Sequence, residues 1–111
     1  MDFRNTARRL GLDLSEYLEM IALFDETSRA DIAKIDVAVS ANSRDGMAQS
    51  LRSIKGAAGA LGFVDVFQTA QGLEVDTESR SLLDLAQGVS ELASEILIIT
   101  VKATRLREDR V

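Results

Sequence analysis

The sequence predicts an all-α protein, an antiparallel four-helix bundle with a short extra N-terminal helix, formed as one domain over residues 1–111. Three observations lead there. The chain has no proline, one tyrosine, four phenylalanines and no tryptophan, so strand formers and turn punctuation are scarce. Long segments hold apolar residues at helical spacing, and only short clusters of turn formers separate them. The hydrophobic content of 46% suffices for one modest core.

Phe3 to Leu10 is weakly amphipathic and stops at Gly11, which predicts the short first helix. Asp13 followed by Glu16 has the spacing of a capping box and opens a long helix. Its inward stripe is predicted as Tyr17, Ile21, Phe24, Ser28, Ile32, Ile35 and Val39. The segment "SANSRDG", Ser40 to Gly46, is a connection in which Ser43 or Asp45 caps the next helix. Met47, Leu51, Ile54, Ala58 and Leu61 form the buried stripe of that helix, and Gly62 is placed to end it.

Phe63 to Glu74 reads as a shorter helix with Phe63, Val66, Phe67, Ala70 and Leu73 inward, broken by "EVDTES". From Ser81 onward, Leu82, Leu85, Val89, Leu92, Ile96, Ile99 and Ala103 define a last long helix. It closes on Lys102, Arg105 and Arg107, cations suited to a helix C-terminus. The run "ILIITV", Ile96 to Val101, lies inside this period with no turn signal on either side and is read as helix.

Composition removes several function classes. Without cysteine there is no disulfide framework, thiolate nucleophile or thiolate metal site, and without histidine the commonest general base and metal ligand is missing. Neither a metal nor another cofactor is expected, and the acidic residues show no spacing that singles out an acid/base pair. A net charge of −5 argues against nucleic acid, whose affinity rests on phosphate neutralisation. No apolar run approaches a signal-peptide core or a membrane span, so a cytoplasmic protein that does not enter membranes is expected.

The informative stretch is "SLRSIKGAAGALG", Ser50 to Gly62. At about 100° per residue, Ala48, Arg52, Lys55, Gly56 and Gly59 share a strip beside the Met47/Leu51/Ile54/Ala58 stripe. Each interior glycine costs a helix roughly 1 kcal/mol relative to alanine. A surface that another molecule must approach closely would offset that cost.

Extended to Glu74, the stretch "LRSIKGAAGALGFVDVFQTAQGLE" resembles the phosphotransfer signature of histidine phosphotransfer (HPt) domains of two-component phosphorelays. There His-x-x-Lys-Gly opens a run of small residues and Leu-Glu closes the next helix. The resemblance rests on Lys55, Gly56, the Ala57, Ala58, Gly59 run, Gly62, Ala70, Leu73 and Glu74, and extends upstream over most of the chain. It implies that Lys55 helps neutralise phosphate and that Gly56 leaves room for a receiver domain. Where the family carries its phosphorylated histidine, this sequence has Arg52.

A guanidinium stays protonated and offers no lone pair for attack on an aspartyl phosphate. The resemblance therefore implies a histidine-less signalling module, not an enzyme. Ala48, Arg52, Lys55, Gly56 and Gly59 would dock a receiver domain of a response regulator or hybrid kinase, acting by competition or sequestration. A monomer is expected rather than a homodimer. Two other readings stay open: a structural bundle that self-associates through Gly56 and Gly59, and a phosphotransfer protein whose acceptor was replaced. A serine acceptor, Ser50 or Ser53, is disfavoured because the sequence places no evident base beside either.

Overall fold

A computed structural model describes residues 1–109 and contains five helices, α1 (Phe3–Arg9), α2 (Leu14–Ser40), α3 (Arg44–Leu61), α4 (Val64–Asp76) and α5 (Leu82–Asp109). Helix α3 packs on α2 and α4, and α5 packs on the same two, so α3 and α5 lie diagonally across the bundle. Helix α1 lies against α2. The core joins Tyr17, Leu18, Ile21, Phe24 and Ile35 of α2 to the whole predicted α3 stripe, with Phe63, Val66, Ala70 and Leu73 from the α4 side and Leu85, Val89, Leu92 and Ile96 from α5.

Local chemistry explains the boundaries. Asp13 accepts from the Glu16 amide at 2.8 Å while Glu16 accepts from the Asp13 amide at 3.2 Å, completing the capping box. Of the two candidates before α3 it is Ser43 that caps, accepting from the Gly46 amide at 3.0 Å. Gly62 ends α3 in the left-handed region at φ 80°, where the Phe63 amide reaches back to the Ala58 carbonyl at 2.9 Å.

Four expectations are corrected. In α2 the stripe passes through Asp31 and Ala38, both buried, and leaves Ile32 and Val39 half-buried. A polar residue is tolerated there because the Asp31 carboxylate accepts a hydrogen bond from Ser53 on α3. In α5 Thr100 is buried and Ile99 only partly so, the Thr100 hydroxyl donating to the Leu97 carbonyl of its own helix. Helix α4 does not break at Glu74 but runs through Asp76, since Arg44 of α3 donates to the Thr77 and Arg80 carbonyls at 2.7 and 2.6 Å and secures the turn that follows. Finally, α5 continues to Asp109, so only Arg107 stands in its last turn; Lys102 instead donates to the Met1 carbonyl and lies 5.0 Å from the centre of the Phe3 ring.

Tyr17 ties two distant segments together. Its ring is fully buried against Phe3 and Phe63, and its hydroxyl donates to the Leu61 carbonyl at 2.6 Å, satisfying an acceptor at the end of α3. Burial pushes the phenol from 10.0 up to about 12. A raised phenol favours the neutral form in the fold, so this stabilisation is complete below pH 10 and is lost as pH rises toward 12. We expect a loss of about 2 kcal/mol across that window, read from alkaline denaturation together with the tyrosinate absorbance of the single tyrosine. Tyr17→Phe should abolish the step and cost about 1–2 kcal/mol at neutral pH, because the Leu61 carbonyl loses its donor. An unfolding curve flat in wild type between pH 10 and 12 would contradict this.

Candidate functional site

Arg52 and Lys55 stand one turn apart on the solvent side of α3, and both are bound by one carboxylate of α4. Arg52 Nε donates to Glu74 Oε2 at 3.1 Å, and Lys55 Nζ donates to Glu74 Oε1 at 2.6 Å. The side chains of Arg52, Lys55 and Glu74 are 64%, 25% and 16% exposed. The pairing is therefore graded by depth: Glu74 is shared mostly with the shielded Lys55, while Arg52 reaches outward. Its two terminal nitrogens carry no partner among the described residues. Two cations and one carboxylate leave one positive charge, presented on the guanidinium.

The hydrogen bond from Lys55, with a smaller one from Arg52, holds the Glu74 carboxyl below its ordinary 4.5. A lowered carboxyl favours its ionised form in the fold, so the contribution is complete above 4.5 and is lost as pH falls through the lowered value. Arg44, Ala48, Gln71 and Thr77, together with the carboxylates Asp45 and Glu78, extend the triad into an open groove between α3 and α4 of about 390 Å³.

The two glycines separate. A Cβ built on Gly59 would lie 3.2 Å from Phe67 Cδ2, so its missing side chain lets the half-buried Phe67 ring of α4 close over α3. At Gly56 a Cβ would meet nothing within 4 Å. Nothing inside the described fold requires glycine there. Ala48 is half-buried along the groove and Gly59 is itself exposed, so all five predicted residues lie at or beside open surface, Gly59 in addition giving room to the Phe67 ring.

Glu74 lies outside the docking set that the sequence predicts. Its Leu-Glu position is the available signal, but the ion pairs depend on how α4 packs on α3. Asp31 escapes sequence reasoning likewise: its carboxylate lies 2.7 Å from the Ser53 hydroxyl, correcting the expectation that no carboxylate stands beside that serine. The hydroxyl donates to a carboxylate that the α2–α3 interface buries, an arrangement that satisfies Asp31.

Among the described residues no three His, Cys, Asp or Glu side chains converge at metal-binding spacing, and no helix is long and apolar enough to cross a membrane. A family model described as the Hpt domain matches residues 19–99, a span that contains the triad, both glycines and most of the bundle. No curated protein and no solved structure matches the chain.

Proposed function

The chain belongs to the Hpt domain family, and from that premise we propose that it is a histidine-less member that docks a receiver domain without accepting phosphate. Membership makes it a phosphotransfer-related signalling module, and receiver domains of two-component proteins are the general partners of such domains. The observation that carries the finer reading is Arg52 itself. At the acceptor position stands a group that cannot take a phosphoryl group, and it is exposed, unspent at its terminal nitrogens and bordered by the open backbone of Gly56.

A planar cationic fork suits carboxylates, and the family's receivers present an acidic pocket around their phosphorylatable aspartate. Occupying that pocket would withhold the receiver from its other partners, by competition or sequestration, with no catalysis by this chain. Glu74 does not oppose the docking, because it engages Arg52 through Nε alone.

The test is calorimetric titration with the receiver domains of the same organism, with and without magnesium. At least one receiver should bind, and Arg52→Ala should weaken it by about tenfold, the scale of removing one charge-assisted hydrogen bond from an interface. Absence of binding across the panel would reject the docking reading. Arg52→His, incubated with phosphorylated receivers, separates it from the replaced-acceptor reading: phosphohistidine at position 52 would show that the phosphotransfer site is otherwise intact, and an unlabelled product would reject that reading.

A further inference from the structure

Helix α5 presents an uncovered apolar face on the side of the bundle diagonal to α3. Ile98 is 70% exposed, Leu97 and Val101 flank it on the same surface, and Val64 at the start of α4 continues the patch. At about 100° per residue, Glu91 and Arg105 lie on the same face as Ile98, seven residues before and after it. Neither makes a hydrogen bond or ion pair among the described residues. The nearer charges repeat this polarity but are engaged within the chain: Glu95 accepts from Thr69 at 2.7 Å, and Lys102 holds the Met1 carbonyl.

A helix face acidic on one side of an apolar centre and basic on the other is complementary to itself when reversed. We infer that α5 is a homodimer interface, in which two copies pack antiparallel about a twofold axis at Ile98 and set Glu91 of each against Arg105 of the other. Each pair then occurs twice, as an isologous contact requires, and the exposed aliphatic groups fill the centre of the interface with the charges at its rim. On this inference the chain self-associates, where the sequence reading expects a monomer. The α3 faces remain free, so on the docking reading above a dimer offers two receiver sites and an avidity advantage; the association itself does not depend on that reading.

Sedimentation velocity on the full chain, from about 10 µM to about 1 mM, the weak range fitting a small single-helix contact, decides the matter. Wild type should move from monomer to dimer within that range, and Ile98→Asp should remain monomeric with an unchanged circular dichroism spectrum, since Ile98 lies outside the core. Glu91→Arg and Arg105→Glu should each weaken the dimer by about tenfold, because each brings like charges together twice. The double exchange should return it to within about threefold of wild type. A monomer throughout, a dimer indifferent to Ile98→Asp, a double exchange without rescue, or a dimer abolished instead by Gly56→Leu would each overturn the inference.

Discussion

Gly56→Leu is expected to abolish receiver binding while leaving the protein at least as stable as wild type. Two effects that usually oppose each other act here on different observables. In the isolated bundle position 56 faces open space, so leucine meets no neighbour and removes the glycine penalty of roughly 1 kcal/mol. On the docking reading the same side chain would project beside Arg52, where a receiver's backbone would approach. The dissociation constant should rise by at least about tenfold, the effect of forcing apart a closely packed interface, while the melting temperature stays level or increases. Calorimetry and thermal denaturation on the same preparation read both. Gly59→Ala provides the contrast: its Cβ at 3.2 Å from Phe67 offsets the helix-propensity gain, so no comparable stabilisation should appear. If Gly56→Leu binds a receiver as tightly as wild type does, the open strip of α3 is not the docking surface.

Leu51→Ala is expected to cause the largest loss of stability, about 2–5 kcal/mol. Leu51 precedes Arg52 but points the other way, fully buried in the centre of the bundle. Truncation removes buried methyl groups and leaves a cavity that surrounding helices fill only in part. Against a typical domain stability of about 5–15 kcal/mol, that is a large share, and equilibrium urea unfolding should show a lowered midpoint with an unchanged slope. Leu83→Ala is the matched control: Leu83 is 76% exposed, and its loss should stay within about 0.5 kcal/mol. Equal costs at the two positions would contradict the assignment of inward and outward faces.

Much of the fold is legible in the sequence because its signals are local. The Asp13 to Glu16 capping box, the Ser43 cap, the left-handed Gly62 and the α3 stripe each depend on residues within one or two helical turns. The stripes of α2 and α5 drift where hydropathy favours Ile32 and Ile99 over Asp31 and Thr100. Burial there goes to the position facing a neighbouring helix, provided that its polar group finds a partner. The end of α4 departs from expectation for a related reason: turn formers announce a break, but Arg44 from another helix holds the turn farther on, at Thr77 and Arg80.

The sequence by itself determined the chemistry available at the site. It contains no histidine anywhere, has an arginine where the resemblance places the family's acceptor, and carries a lysine and a glycine at fixed helical offsets from that arginine, all readable at about 100° per residue. Only the tertiary structure decided how those groups are used. The approach of α4 to α3 places one carboxylate between two cations and thereby assigns Lys55 to the fold and Arg52 to solvent. That approach also separates Gly59, where an added Cβ would crowd the Phe67 ring, from Gly56, where it would meet nothing. Helical periodicity says which residues share a face, but a charge or a gap is satisfied by whatever packs across from it, and that partner lies 19 to 22 residues away for the ion pairs.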